Sequence, residues 1–426
     1  MFTDHIETER MNRKMNSRTV GAVIVTVTAA IMTAVPIYAQ DSENQTLAGA
    51  ISSGKATVGF RYRYEMVDQD GIAEDANAST ARLRLNYKTG SFNKWSAFGE
   101  FDYVGEILLN DYNSLGGSSP DRNQYPVVAD PKGPDLNQLY LDYDPNENTK
   151  IRFGRQRILL DNQRFVGGVG WRQNEQTYDG VSFDLKAAGN TQFKYAYITT
   201  VRRIFGNDVG SGRHDTDAHL LNASVKISDD WKVTPYYYRI DNEDAAGAST
   251  GTFGARLAGS VAAGDNKISI IGEFANQTDI ANNPVNYDAD YLHVAATYAM
   301  KDGPSFGLAY ESLSGDSTAP GMSFRTPLAT LHAFQGWADK FLGTPDQGIN
   351  DLFATVKFKA GKWNLTGVYH DFTAESGSAD WGTEIDMSAG RSLGDRYGLL
   401  LKAAFYDADQ WATDTNKFWV MLTGSY

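Results

Sequence analysis

The chain has 426 residues, a net charge of −13 and no cysteine. The acidic balance argues against a nucleic-acid partner, and the lack of thiols excludes disulfides, thiolate metal sites and cysteine nucleophiles together. With 23 Tyr, 21 Phe and 41 Gly against 12 Pro, the composition suits many short aromatic strands better than helices.

At the N-terminus, Arg13, Lys14 and Arg18 precede an apolar stretch from Val20 to Val35, and Ile37-Tyr38-Ala39 offers a cleavage site before Gln40. This pattern reads as a secretory signal peptide over residues 1–39. The run is interrupted by Thr26, Thr28 and Thr33 and has no basic flank behind it, which disfavours an anchor helix. Residues 40–54 then read as a short periplasmic segment ahead of the body, 55–426. Nowhere in that body is there a run of about 18 apolar residues, the length a spanning helix needs.

From residue 55 onward the hydrophobic period is two. In 55–67, Ala56, Val58, Phe60, Tyr62, Tyr64 and Met66 share one face, while Thr57, Gly59, Arg61, Arg63 and Glu65 share the other. Segment 79–88 sets Leu83, Leu85 and Tyr87 against Arg82, Arg84 and Lys88, and 95–107 sets Trp95, Phe101 and Tyr103 against Glu100, Asp102 and Glu106. The same alternation marks 137–144, 149–158, 177–186, 191–203, 214–227, 231–240, 251–261, 266–277 and 288–301. It continues through 304–314, 350–359, 362–372, 383–391, 396–406 and 416–426. The segments predict an all-β fold, a transmembrane antiparallel up-and-down barrel of about 18 strands.

Loop lengths support the count. Connections after even-numbered segments are short and rich in Gly, Asn and Asp, as in Pro145-Asn146-Glu147-Asn148 and Asp302-Gly303. Those after odd-numbered segments are longer, above all 108–136, 159–176 and 315–349. Short periplasmic turns alternating with long outer loops is how such barrels are built, and an even strand total puts both termini in the periplasm. The last strand alternates to a terminal aromatic, Tyr426, the kind of end the barrel assembly machinery reads. Lipid and lipopolysaccharide are the surroundings expected of a Gram-negative outer-membrane barrel.

Residues 151–183 carry Phe153-Gly154-Arg155-Gln156, Asp161-Asn162-Gln163-Arg164-Phe165, Gly170-Trp171-Arg172-Gln173 and Asp179-Gly180-Val181. Together with Phe334-Gln335-Gly336-Trp337-Ala338-Asp339-Lys340-Phe341, they resemble the alginate export family of outer-membrane porins. The resemblance spans about residues 50–426. It implies an 18-stranded barrel with an arginine-rich lumen that passes an anionic polyuronate, and it fixes the family rather than the substrate.

Arg61, Arg63, Arg82, Arg84 and Arg152 fall on the predicted lumen face. Guanidinium groups stay charged and bind carboxylates in a fork, so such a row would favour an anionic solute, alginate or uronate saccharides among them. Glu65, Glu100 and Asp102 share that face, which equally suits a general porin with opposed charged walls, or internal ion pairs that brace the barrel. A structural or adhesin barrel is a further alternative. Arg155 and Arg157 share parity with Phe153 and so point toward lipid. They either sit above the hydrocarbon near lipopolysaccharide phosphates or are turned inward by a bulge. Loops 108–136 and 315–349 are long enough to enter the lumen as constrictions, the second bringing Trp337, Asp339 and Lys340 on one helical turn over 334–341, and they equally suit surface loops facing lipopolysaccharide. No nucleophile elbow, zinc-protease helix or phosphate loop occurs, and the six His are scattered, so no catalytic residue, metal or cofactor is expected.

Overall fold

In the computed structural model, residues 46–115 and 122–426 are described. The expected signal peptide lies outside them. A six-residue helix, α1 (Leu47–Ser52), comes first among the described residues. The Thr46 hydroxyl caps it by accepting from the Gly49 amide at 3.0 Å,.

Eighteen strands follow. The first six are β1 (Lys55–Gln69), β2 (Ala76–Lys88), β3 (Trp95–Asp111), β4 (Gly133–Asn146), β5 (Thr149–Gln156) and β6 (Thr177–Ala187). Next come β7 (Thr191–Arg202), β8 (Arg213–Lys226), β9 (Trp231–Asn242), β10 (Thr250–Ala263), β11 (Asn266–Asp279) and β12 (Asp288–Ala299). The last are β13 (Ser305–Leu313), β14 (Ile349–Ala360), β15 (Trp363–Thr373), β16 (Asp380–Leu393), β17 (Tyr397–Ala408) and β18 (Thr415–Ser425). They lie where the alternation puts them, with several ends longer by a few residues.

Each strand is antiparallel to the next, and β1 pairs with both β2 and β18, which closes the sheet. Phe60 stands opposite Leu83 on one side and Gly424 on the other. Val58 and Tyr426 exchange backbone hydrogen bonds of 2.9 Å, so closure reaches the final residue. Closure leaves no unpaired edge, the condition for strands in contact with lipid. Among the described residues no helix is long and apolar enough to cross a membrane.

The two faces are inverted relative to a water-soluble protein. Phe253 is 65 % exposed on the outside, whereas Arg63 on the inside is 0 % exposed. Connections such as 147–148, 264–265 and 361–362 gather at one end, which also holds both ends of the barrel. The opposite end carries the long connections 112–132, 157–176 and 314–348.

One glycine is required by this packing. Gly154 in β5 has φ +121°, and a Cβ there would lie 2.4 Å from the Leu139 carbonyl oxygen of β4. Gly154→Ala is expected to destabilise the β4–β5 pairing by about 1–3 kcal/mol. The check is the temperature at which the folded band is lost in semi-native electrophoresis, which should fall.

Candidate functional site

The long connections fold back into the barrel because they carry apolar side chains that the inner wall can bury. Phe165 inserts between inward-facing Tyr236, Tyr238 and Tyr291 and the loop residue Phe324, at ring-centroid distances of 5.3, 6.1, 5.2 and 5.9 Å. Two of these loops, 157–176 and 314–348, are also joined by their backbones. Val166 bridges Leu328, and the Gly167 amide donates to the Leu328 carbonyl at 2.8 Å. A Cβ on Gly167 would sit 2.2 Å from the Thr330 hydroxyl oxygen. Loops 157–176 and 314–348 therefore form one body inside the lumen.

On the β1–β5 wall this body meets the arginines. Arg61 donates through Nη1 to the carbonyls of Gly170 and Arg172 at 3.1 and 2.9 Å. Arg63 donates to the Trp171 carbonyl at 2.6 Å and stands over the Trp171 ring at 4.0 Å. Its charge is met by Asp130 of the 112–132 loop at 3.4 Å and by Glu65 at 3.6 Å. Arg82 donates to the Gln173 carbonyl at 2.9 Å. Arg84 grips Asp102 in a fork of 2.7 and 2.6 Å and reaches Glu175 at 2.9 Å. Arg152 forks onto Asp142 at 2.6 and 3.0 Å and lies 3.7 Å over Tyr140. Bidentate pairs of this kind combine charge with fixed geometry. Burial tends to raise the Glu175 carboxyl, but Arg84 and Arg157 hold it down at about 2,.

On the adjoining β16–β18 wall the centre is Asp339. It accepts from His332 Nδ1 at 2.7 Å, from Lys417 at 2.8 Å and from Arg172 at 3.2 Å. Lys402 on β17 completes the set, 2.6 Å from His332 Nε2. The Lys402 ammonium also lies 4.3, 3.7 and 5.3 Å from the rings of Trp171, Trp337 and Trp419. His332 stacks on Trp171 at 4.6 Å with 6° between planes. Burial works against the Asp339 carboxylate, yet His332, Lys417 and Arg172 outweigh it and hold its pKa well below the usual range. Burial, and more weakly Lys417, pushes the neighbouring Lys340 ammonium down to about 8. The loop tip is held from β16 as well, where Glu384 accepts from the Ala338 amide at 2.7 Å and Asp386 from the Trp337 amide at 3.2 Å.

The five expected lumen arginines all face inward, with Glu65, Glu100 and Asp102 among them. Arg155 and Arg157 divide between the two placements left open by the sequence. Arg155 stays on the outer face at the long-loop end, paired with Asp179 at 2.7 Å, and Arg202 shares that carboxylate at 3.0 Å. Arg157 lies past the end of β5, where parity lapses, and turns inward to pair with Glu100 and Glu175. In the signature region, Arg164 pairs with Glu311 at 2.8 Å, and Asp161 accepts from Asn222 at 2.7 Å.

The expected helical turn over 334–341 is absent. The segment is made of bends and turns, with positive φ at Gln335, Gly336 and Asp339, a backbone incompatible with a right-handed helix. A short 3-10 turn, Leu331–Ala333, precedes it instead. Among the described residues no group of three or more His, Asp or Glu is placed to hold a metal.

Several partners escaped the sequence reading. Lys402, Lys417, Trp419, Glu384 and Asp386 were within reach, since they sit at inward positions of predicted strands. Asp130, Glu175 and His332 lie in irregular loops, where no periodicity marks them.

The Alginate export family profile matches residues 55–335, most of the barrel. The chain belongs to the alginate export family. Solved structures share its fold across nearly their whole length. OccAB4 of Acinetobacter baumannii is 13% identical with a TM-score of 0.69, covering 88% of this chain and 98% of that one. OccAB2 of the same organism is 14% identical at TM-score 0.69, covering 88% and 98%. OpdK of Pseudomonas aeruginosa is 12% identical at TM-score 0.68, covering 88% and 99%. No curated protein matches the chain by sequence. Family and fold together make this member of the alginate export family an outer-membrane β-barrel porin, a class of channels rather than enzymes.

Proposed function

We propose that this porin passes small or oligomeric anionic solutes, with uronate saccharides as the class best matched by its family. The observation that carries this reading is Arg61. Of the row Arg61, Arg63, Arg82, Arg84 and Arg152, it alone has no carboxylate within ion-pair distance among the described residues. Its hydrogen bonds go to loop carbonyls, which orient the guanidinium without cancelling its charge. An uncompensated fixed cation beside a constriction lowers the barrier for anions and raises it for cations. Short turns toward the periplasm, lipopolysaccharide around the rim and recognition of the strand ending in Tyr426 by the assembly machinery belong to the same reading.

The paired carboxylates favour a second reading, a general non-specific porin. Arg63, Arg82, Arg84 and Arg152 mostly brace the loops and add little net charge. The two readings separate in planar bilayers under a salt gradient. Anion preference in the native channel, reduced by at least about half in Arg61→Ala, is the expected result, because one full charge leaves the constriction. Cation preference, or a reversal potential unmoved by the substitution, would leave only the general porin.

A further inference from the structure

Charge is unevenly distributed along the barrel axis, with lysines outnumbering the exposed carboxylates on the inner wall of one end. At the short-turn end, a cavity of about 1080 Å³ opens between β6 and β11, lined by Lys186, Lys226, Lys232 and Lys267 against two carboxylates, Asp229 and Asp230, with the hydroxyls of Ser224, Ser260 and Ser269. Lys226 pairs with Asp229 at 2.8 Å. Lys186, Lys232 and Lys267 are exposed, and no ion pair or side-chain hydrogen bond engages them among the described residues. On the far wall Lys357 and Lys359 of β14 are exposed at the same end. The long-loop end has the opposite sign, with exposed Glu74, Asp75, Glu243, Asp244, Glu375 and Asp414.

Resting on the anion-channel reading, we infer that the lysine-lined cavity is an anion-docking vestibule and that the channel captures polyanions from its short-turn side. Three unpaired ammonium groups in one concavity, with hydroxyl donors between them, suit an oligomeric ligand that carries several carboxylates or phosphates. The volume is at the upper end of small-ligand clefts. Asp229 is taken up by Lys226, so the lining keeps an excess of positive charge over the single carboxylate of Asp230. A cleft with such an excess focuses the field and raises capture rates by about tenfold or more, whereas an acidic rim repels the same ligand. The asymmetry cannot drive net flux in a passive channel. It sets which side captures first and makes the current rectify. In the orientation proposed above, the capturing side is the periplasm.

The test uses the full-length porin in planar bilayers, with myo-inositol hexakisphosphate as the probe. The chain has no cysteine, so Ala73→Cys carrying biotin marks the long-loop face and reports orientation through streptavidin. Block from the short-turn side is expected at about tenfold lower probe concentration than from the other side. In K186Q/K232Q/K267Q that preference should largely vanish, while K186R/K232R/K267R, which keeps the charge, should retain it. Equal block from both faces, or a side preference unchanged by the Gln variant, would overturn the vestibule and leave the channel reading standing. Cation selectivity in the native channel would overturn the anion reading instead, and the vestibule with it.

Discussion

Asp339→Ala is expected to release the 314–348 loop from the lumen and to raise single-channel conductance well above that of the native porin. The carboxylate is the shared anion of His332, Lys417 and Arg172. Removing it leaves the buried Lys417 ammonium without its counter-charge and His332 Nδ1 without its acceptor, while Arg172 keeps Glu65 at 2.9 Å. Breaking a buried pair in this way costs about 3–5 kcal/mol. The loop has other anchors, including Phe341 packed on Phe372 at 4.6 Å and the amides of Trp337 and Ala338 held by Asp386 and Glu384. Those amide anchors sit beside Asp339 in sequence, however, and depend on the same tight backbone. Gly336 packs its backbone directly on one of these anchors, since a Cβ there would meet the Glu384 carboxylate at 2.2 Å. Limited proteolysis supplies a second readout, because a released loop becomes a substrate while the barrel stays intact. Native conductance together with native resistance to protease would show that Asp339 does not hold the loop.

The barrel was far more legible than its contents, and particular residues show why. Alternation is a local signal, and Phe60 against Arg61 repeats in every strand because lipid lies on one side and the lumen on the other. Loop length sorted by parity then fixes strand direction. Those two facts place Lys186, Lys232 and Lys267 beside short turns, so the axial charge pattern was within reach of the sequence. What Arg61 and Arg63 face was not. They share a strand and a parity, yet one meets only carbonyls and the other meets Asp130 and Glu65. Glu65 is a neighbour on β1 itself, but Asp130 and the carbonyls come from loops 112–132 and 157–176, whose path depends on distant packing such as Phe165 among the tyrosines of β9 and β12. Arg155 and Arg157 make the same point over two residues. Parity holds for the first and fails for the second, because β5 ends at Gln156.

Acidification supplies an independent route to the released state. Burial pushes the His332 imidazole down, Lys402 adds to the fall and Asp339 opposes it, leaving a pKa of about 3 against an ordinary value of 6.5. The geometry gives the reason. A neutral ring donates from Nδ1 to Asp339 and accepts at Nε2 from the Lys402 ammonium, so a second ring proton would displace that donor. In the docked loop the imidazole stays neutral, whereas in a released loop it takes up a proton below about pH 6.5. Docking stability from this group is therefore whole above about pH 6.5 and is lost as pH falls toward about 3, at about 1.4 kcal/mol per pH unit. At pH 4 the native porin is expected to show larger and noisier conductance steps than at pH 7. The β1–β5 wall should hold at that pH, because Glu175 remains ionised down to about 2. His332→Phe keeps a ring to stack on Trp171 and has nothing to protonate, so its conductance should change much less between the two pH values. Equal native conductance at pH 4 and pH 7 would mean that protonation of His332 does not control the loop.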